Sequence, residues 1–106
     1  MNLDEYQRLA LRTARDLPAN ERLLNAALGL AGEAGEFADS VKKIRFHGHE
    51  SDPDELIKEL GDLLWYTALA AHALGVPLAQ VAERNITKLR GRYPAGFSEP
   101  ASRERT

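Results

Sequence analysis

Apolar residues return every three to four positions along most of this chain, the spacing of one face of an α-helix. Leu3, Tyr6, Leu9, Ala10 and Thr13 form the first stripe. Leu17-Pro18 closes it, because proline disfavours helical geometry in the residue before it. Asn20 can cap a second, long helix reaching about Ile44. Its apolar positions are Leu23, Leu24, Ala27, Leu28, Ala31, Ala34, Phe37, Ala38 and Val41. His47-Gly48-His49 then reads as a loop. Asp52-Pro53-Asp54-Glu55 supplies an N-cap, a proline at the first helical position and a glutamate placed to complete a capping box. The third helix runs to about Ala73. Gly75-Val76-Pro77 breaks the chain before a fourth helix that ends near Arg92. Tyr93–Phe97 is a turn, and the closing SEPASRERT is polar and frayed. The pattern predicts an all-α, four-helix bundle-like protomer: one domain over 1–97 with a polar tail, 98–106.

Leu63–Ala82 carries no charged side chain. Its length alone would suit a membrane span, but Gly75 and Pro77 interrupt it, and His72 and Gln80 dilute it. A helix–turn–helix buried on nearly all sides is the better reading. A four-helix chain this short scarcely covers such a segment, so the surplus apolar surface predicts self-association through the helices, as a homodimer or homotetramer.

Two pairs of carboxylates change the picture from scaffold to chemistry. Glu33/Glu36 and Glu59/Asp62 are each spaced i, i+3, so each pair projects from one helical face. Ala34, Phe37 and Ala38 crowd the first pair; Leu56, Leu60 and Leu63 crowd the second. Such acids also occur as solvated edges of amphipathic helices. Directed into a helix–helix seam, four of them repel strongly unless cations sit between them. Oxygen-only donors suit Mg²⁺ or Mn²⁺. Di-iron bundles instead use Glu-x-x-His, and here the partner at i+3 is never histidine. His72 reads as a hydrogen-bonded core residue, and His47 and His49 as parts of a solvated turn. Gly29, Gly32 and Gly35 recur along the second helix, and Gly61 sits inside the second acid pair. Close helix packing accounts for Gly29; Gly32 and Gly35 are equally placed to leave open space beside the carboxylates.

Composition sets the outer bounds. The 106 residues, 43% hydrophobic, allow one small core. Without cysteine there is no disulfide, zinc–thiolate site or thiol nucleophile, which fits a reducing cytoplasm. The start, MNLDEYQRL, lacks the features of a signal peptide. Net charge is −2, unevenly spread: residues 1–62 hold 13 acids and 8 bases, residues 63–106 hold 3 acids and 6 bases. That division suits a metal–phosphate ligand as well as ordinary scatter. No basic run is dense enough for a nucleic-acid surface. On the fourth helix, Asn85, Lys88 and Arg92 share a face at i, i+3 and i+7. Lysine and arginine both suit phosphate oxygens, although in isolation this helix reads as an exposed basic face.

Three segments, taken in order, resemble a known family. Gly29-Leu30-Ala31-Gly32-Glu33-Ala34-Gly35-Glu36, Glu59-Leu60-Gly61-Asp62-Leu63-Leu64-Trp65-Tyr66 and Asn85-Ile86-Thr87-Lys88-Leu89-Arg90-Gly91-Arg92-Tyr93-Pro94 look like the MazG-type nucleotide pyrophosphohydrolases of the all-α NTP pyrophosphatase superfamily. The likeness spans about residues 20–97. It implies an oligomeric helical bundle and Mg²⁺-dependent cleavage of a nucleoside triphosphate to monophosphate and pyrophosphate, with Mn²⁺ a substitute. It also implies that Glu33, Glu36, Glu59 and Asp62 are catalytic metal ligands, that Lys88 and Arg92 bind phosphate, and that Asn85 lies near the nucleotide. Many members carry two consecutive glutamates at the start of the first motif, and Gly32 replaces the earlier one here. The base must then be another carboxylate or water acidified by the metal. Trp65 or Tyr66 can stack on a base, but core packing is the stronger expectation. Related readings are a dCTP- or dUTP-specific pyrophosphatase, a phosphoribosyl-ATP pyrophosphohydrolase, or a catalytically silent helical module.

Overall fold

A computed structural model describes residues 1–104 as five helices: α1 (Leu3–Leu11), α2 (Ala19–Phe46), α3 (Pro53–Ala73), α4 (Leu78–Arg92) and α5 (Glu99–Arg103). The first four follow the predicted order, and among the described residues no strand forms. α5 departs from the frayed tail: Ser98 accepts a hydrogen bond from the Ala101 amide, and Pro100 favours the first turn. Residues 105–106 of the predicted tail lie outside the described residues.

Local chemistry sets most boundaries. Asp52 caps α3 by accepting from the Asp54 and Glu55 amides. Glu55 does not close a capping box, since its carboxylate accepts from Lys58 instead. α3 ends in a Schellman turn: Val76 N–H donates to Ala71 O and Gly75 N–H to His72 O. Gly75 takes φ +76°, which a residue without Cβ adopts freely. The long uncharged run is thereby cut, and no described helix is long and apolar enough to cross a membrane. Asn20 is not the cap of α2. The helix begins one residue earlier, behind Pro18, whose carbonyl accepts from the Arg22 amide.

α2 and α3 form the principal helix pair, and α1 and α4 pack on α3 and on each other. The α2–α3 pair is antiparallel, since Gly29 meets Tyr66 while Ser40 meets Glu59. Gln7 ties the third side together, a buried polar residue that the apolar pattern missed. Its amide donates to Ala68 O and Val76 O, and its carbonyl accepts from the Leu78 amide. Trp65 donates from its indole to Ala10 O and Thr13 Oγ1, clamping α1 to α3. His72, expected in the core, is exposed at the α3–α4 corner; Gln7 fills the polar role instead.

The enclosed core is small: Ala10, Ala26, Ala68, Leu69, Ala71 and Leu78. Most of the predicted apolar face of α2 lies outside it. Ala26 is fully buried, whereas Leu24 and Leu28 are exposed, as are Ile57, Leu60 and Leu64 of α3. Leu74 and Val81 are also exposed, so the uncharged segment is buried on one side only. The reason is geometric, because α3 covers one face of α2 and none of the other helices supplies a comparable second contact. The radius of gyration, 16.7 Å, exceeds the roughly 13 Å of a compact chain this long. An apolar surface of this extent predicts that the protein sediments as a dimer or larger. A clean 11.7 kDa species throughout the micromolar range would refute that expectation.

The glycines divide as their surroundings dictate. A Cβ on Gly29 would run into the Tyr66 ring, whereas one on Gly32, Gly35 or Gly61 would meet no neighbour. Gly32→Ala should therefore gain up to about 1 kcal/mol of helix stability. Gly29→Ala should instead lose about 1–3 kcal/mol through overpacking. Thermal unfolding distinguishes the two, and equal shifts would contradict this packing.

Candidate metal–phosphate site

The antiparallel register brings the two carboxylate pairs to one stretch of the α2–α3 seam. Glu33 and Glu59 are half-buried there, and Glu36 and Asp62 more exposed. Glu33 holds its proton more tightly than an ordinary carboxyl. Desolvation is the first cause, followed by the charges of Glu36 and Asp62, a hydrogen bond with Glu36, and the charge of Glu59. Asp39, one turn beyond Glu36, belongs to a different environment. Lys43 and Lys42 bind it and hold its carboxyl below the usual range.

Polar satisfaction is incomplete where a cation would be needed. Oε2 of Glu33 and Oε2 of Glu59 are buried without a hydrogen-bond partner, an arrangement that costs free energy unless something compensates. Glu59 Oε1 accepts from the Ser40 hydroxyl at 2.8 Å. As the side chains stand, no three His, Asp or Glu groups among the described residues form a coordination cluster. The donor set nevertheless fits a hard divalent ion: four carboxylates on one seam, all oxygen, three of them acting on Glu33 and two with orphaned buried atoms. The open space at Gly32, Gly35 and Gly61 leaves room beside them.

Tyr6 is a neighbour that the sequence pattern left among core residues. It packs beside Ala68, Ala71 and Leu78. Its phenol is held above the usual range by burial and then by the charge of Asp62. No sequence signal pairs residue 6 with residue 62; only the α1–α3 crossing does. Trp65 and Tyr66 serve packing, stacked edge to face with centroids 4.9 Å apart.

The basic residues are placed differently. Asn85 and Lys88 are exposed on α4, and Arg92 is half-buried at its end. Among the described residues, none of the ion pairs joins Lys88 or Arg92 to the four carboxylates. The charges acting on Glu33 are all acidic. The single protomer thus assembles the acids but leaves the basic face unjoined to them. His47 and His49 are exposed, as a solvated turn requires.

An acid-lined seam in an all-α scaffold is the feature that the comparisons with known proteins bear upon. The family model of the MazG nucleotide pyrophosphohydrolase domain matches residues 21–97, and the chain belongs to that family. The chain is also similar to the "Gene 37 protein" of Mycobacterium phage L5, with 40% identity over 105 residues, covering 91% of this chain and 92% of the relative. No solved structure gives a significant match. The matched region contains both acid pairs and α4, while α1, with Tyr6 and Gln7, precedes it.

Proposed function

We propose that the protein is a divalent-metal-dependent nucleoside triphosphate pyrophosphohydrolase, serving nucleotide-pool housekeeping. The observation that carries this reading is the α2–α3 seam, where the charges of Glu36, Asp62 and Glu59 all fall on Glu33, and Glu33 and Glu59 each keep a buried oxygen without a partner. Glu33, Glu36, Glu59 and Asp62 would hold Mg²⁺, or Mn²⁺ in its place. The ion would supply Lewis-acid neutralisation of the phosphate oxygens.

The chain's own groups then divide the work. Lys88 and Arg92 bind the phosphates and offset charge as pyrophosphate leaves. Asn85 lies beside the nucleotide. Water attacks the α-phosphorus and the bond to the β-phosphate bridge breaks, giving nucleoside monophosphate and pyrophosphate. With Gly32 where a second glutamate often stands, the water's proton passes to one of the four carboxylates. Because α4 is unjoined to the acids within a protomer, the substrate or a second protomer has to bridge the two halves.

Purified protein incubated with each NTP and dNTP plus Mg²⁺, with pyrophosphate separated from orthophosphate, tests the reaction and its base preference together. Monophosphate and pyrophosphate in equal amounts are expected from the preferred substrate. Orthophosphate as the sole phosphate product, or no turnover of any nucleotide, would overturn the reading.

A further inference from the structure

We infer that Ser40 is a positioning residue that fixes Glu59 for cation binding, an inference resting on the metal-dependent reading above. Ser40 lies four residues after Glu36 and seven after Glu33, on the same face of α2. Its hydroxyl crosses the helix pair and donates to Glu59 Oε1 at 2.8 Å. The geometry departs from what a helical hydroxyl ordinarily does. Serine and threonine inside helices commonly donate back to the carbonyl four residues earlier. Thr67 does so, donating to Leu63 O at 2.8 Å. Ser40 instead spends its one donor on a carboxylate of the neighbouring helix.

The consequence falls on Glu59's other oxygen. With Oε1 held by Ser40, Oε2 is left buried and unpartnered. A free glutamate has several rotamers, and ordering one costs side-chain entropy. The Ser40 bond meets part of that cost before an ion arrives, as partners of metal ligands generally do.

Mn²⁺ titration of the full chain, followed by the loss of free-ion EPR signal without nucleotide, reads this directly. Ser40→Ala should weaken Mn²⁺ binding about tenfold, at the lower end of the effect of losing a ligand's hydrogen-bond partner, with helical content unchanged. Ser40→Thr, which keeps the hydroxyl, should stay within about twofold of the parent on the same principle. Thr67→Val removes a hydroxyl that never leaves its own helix and should change nothing. Should Ser40→Ala fail to fold, Ser40→Cys, close in size but a weak donor, carries the same expectation. Parental affinity in the folded Ser40 variant, or an equal loss in Thr67→Val, overturns the positioning role while leaving the metal site standing. Absence of Mn²⁺ binding by the unmodified protein overturns both.

Discussion

Turnover should vanish in Glu36→Ala and in Asp62→Ala while each protein stays folded or becomes more stable. The two effects have one origin. Glu33 binds its proton more tightly in the folded protein than an isolated carboxyl would, first through desolvation and then through the charges of Glu36 and Asp62. For an acid of that kind, stability falls as pH rises from the unfolded value through the raised folded one. Removing either neighbour shrinks that penalty, so the folded state at neutral pH is not harmed. The same carboxylates are the proposed ligands, and even a ligand's outer partner is typically worth about ten- to a hundredfold. Activity should therefore fall to below about 1% of the parent. Nucleotide turnover at saturating Mg²⁺, measured alongside thermal unfolding, decides it. Full activity in both variants would sink the metal-site assignment.

The other large effect belongs to α4. Changing Lys88 and Arg92 together to alanine should leave folding near normal, because an exposed charge such as that of Lys88 contributes under about 1 kcal/mol and Arg92 is only half-buried, at the end of its helix. Lys88 is exposed and neither residue pairs with the acid cluster. If both grip phosphates, turnover should fall by roughly two orders of magnitude or more, as when a charged transition-state contact is lost. Arg92→Lys should be impaired as well, since an ammonium cannot reproduce the guanidinium fork. Arg90→Ala serves as the control: it lies two residues away on another face and is exposed. Equal, near-parental rates in the double variant and the control would make α4 scaffold and return the silent helical module to first place.

Both predictions were legible in the sequence to different depths. The acid pairs could be placed on helical faces because i, i+3 spacing is a property of the helix itself. That the two pairs meet depends on the antiparallel register of α2 and α3, which the seam contacts of Gly29 and Ser40 fix. The basic face of α4 was equally plain in the sequence, yet its distance from the acids is a matter of where the Gly75 turn sends the helix.

The sequence by itself determined the helices, their breaks and the chemistry they carry. Caps such as Asp52, the Gly75 turn and the carboxylate spacing act within a few residues, and short-range sterics and hydrogen bonding suffice to read them. Tertiary structure alone decided which faces are buried. The stripe of Leu24 and Leu28 reads as core but lies exposed, while Ala26 beside it is fully buried. Gln7 reads as surface but is buried, because three backbone groups from distant positions satisfy its amide. Ser40 beside Glu59 and Tyr6 beside Asp62 likewise join residues far apart in the chain. Periodicity describes one helix at a time; which neighbour covers a face, and which polar group finds a partner there, is settled only when the helices pack.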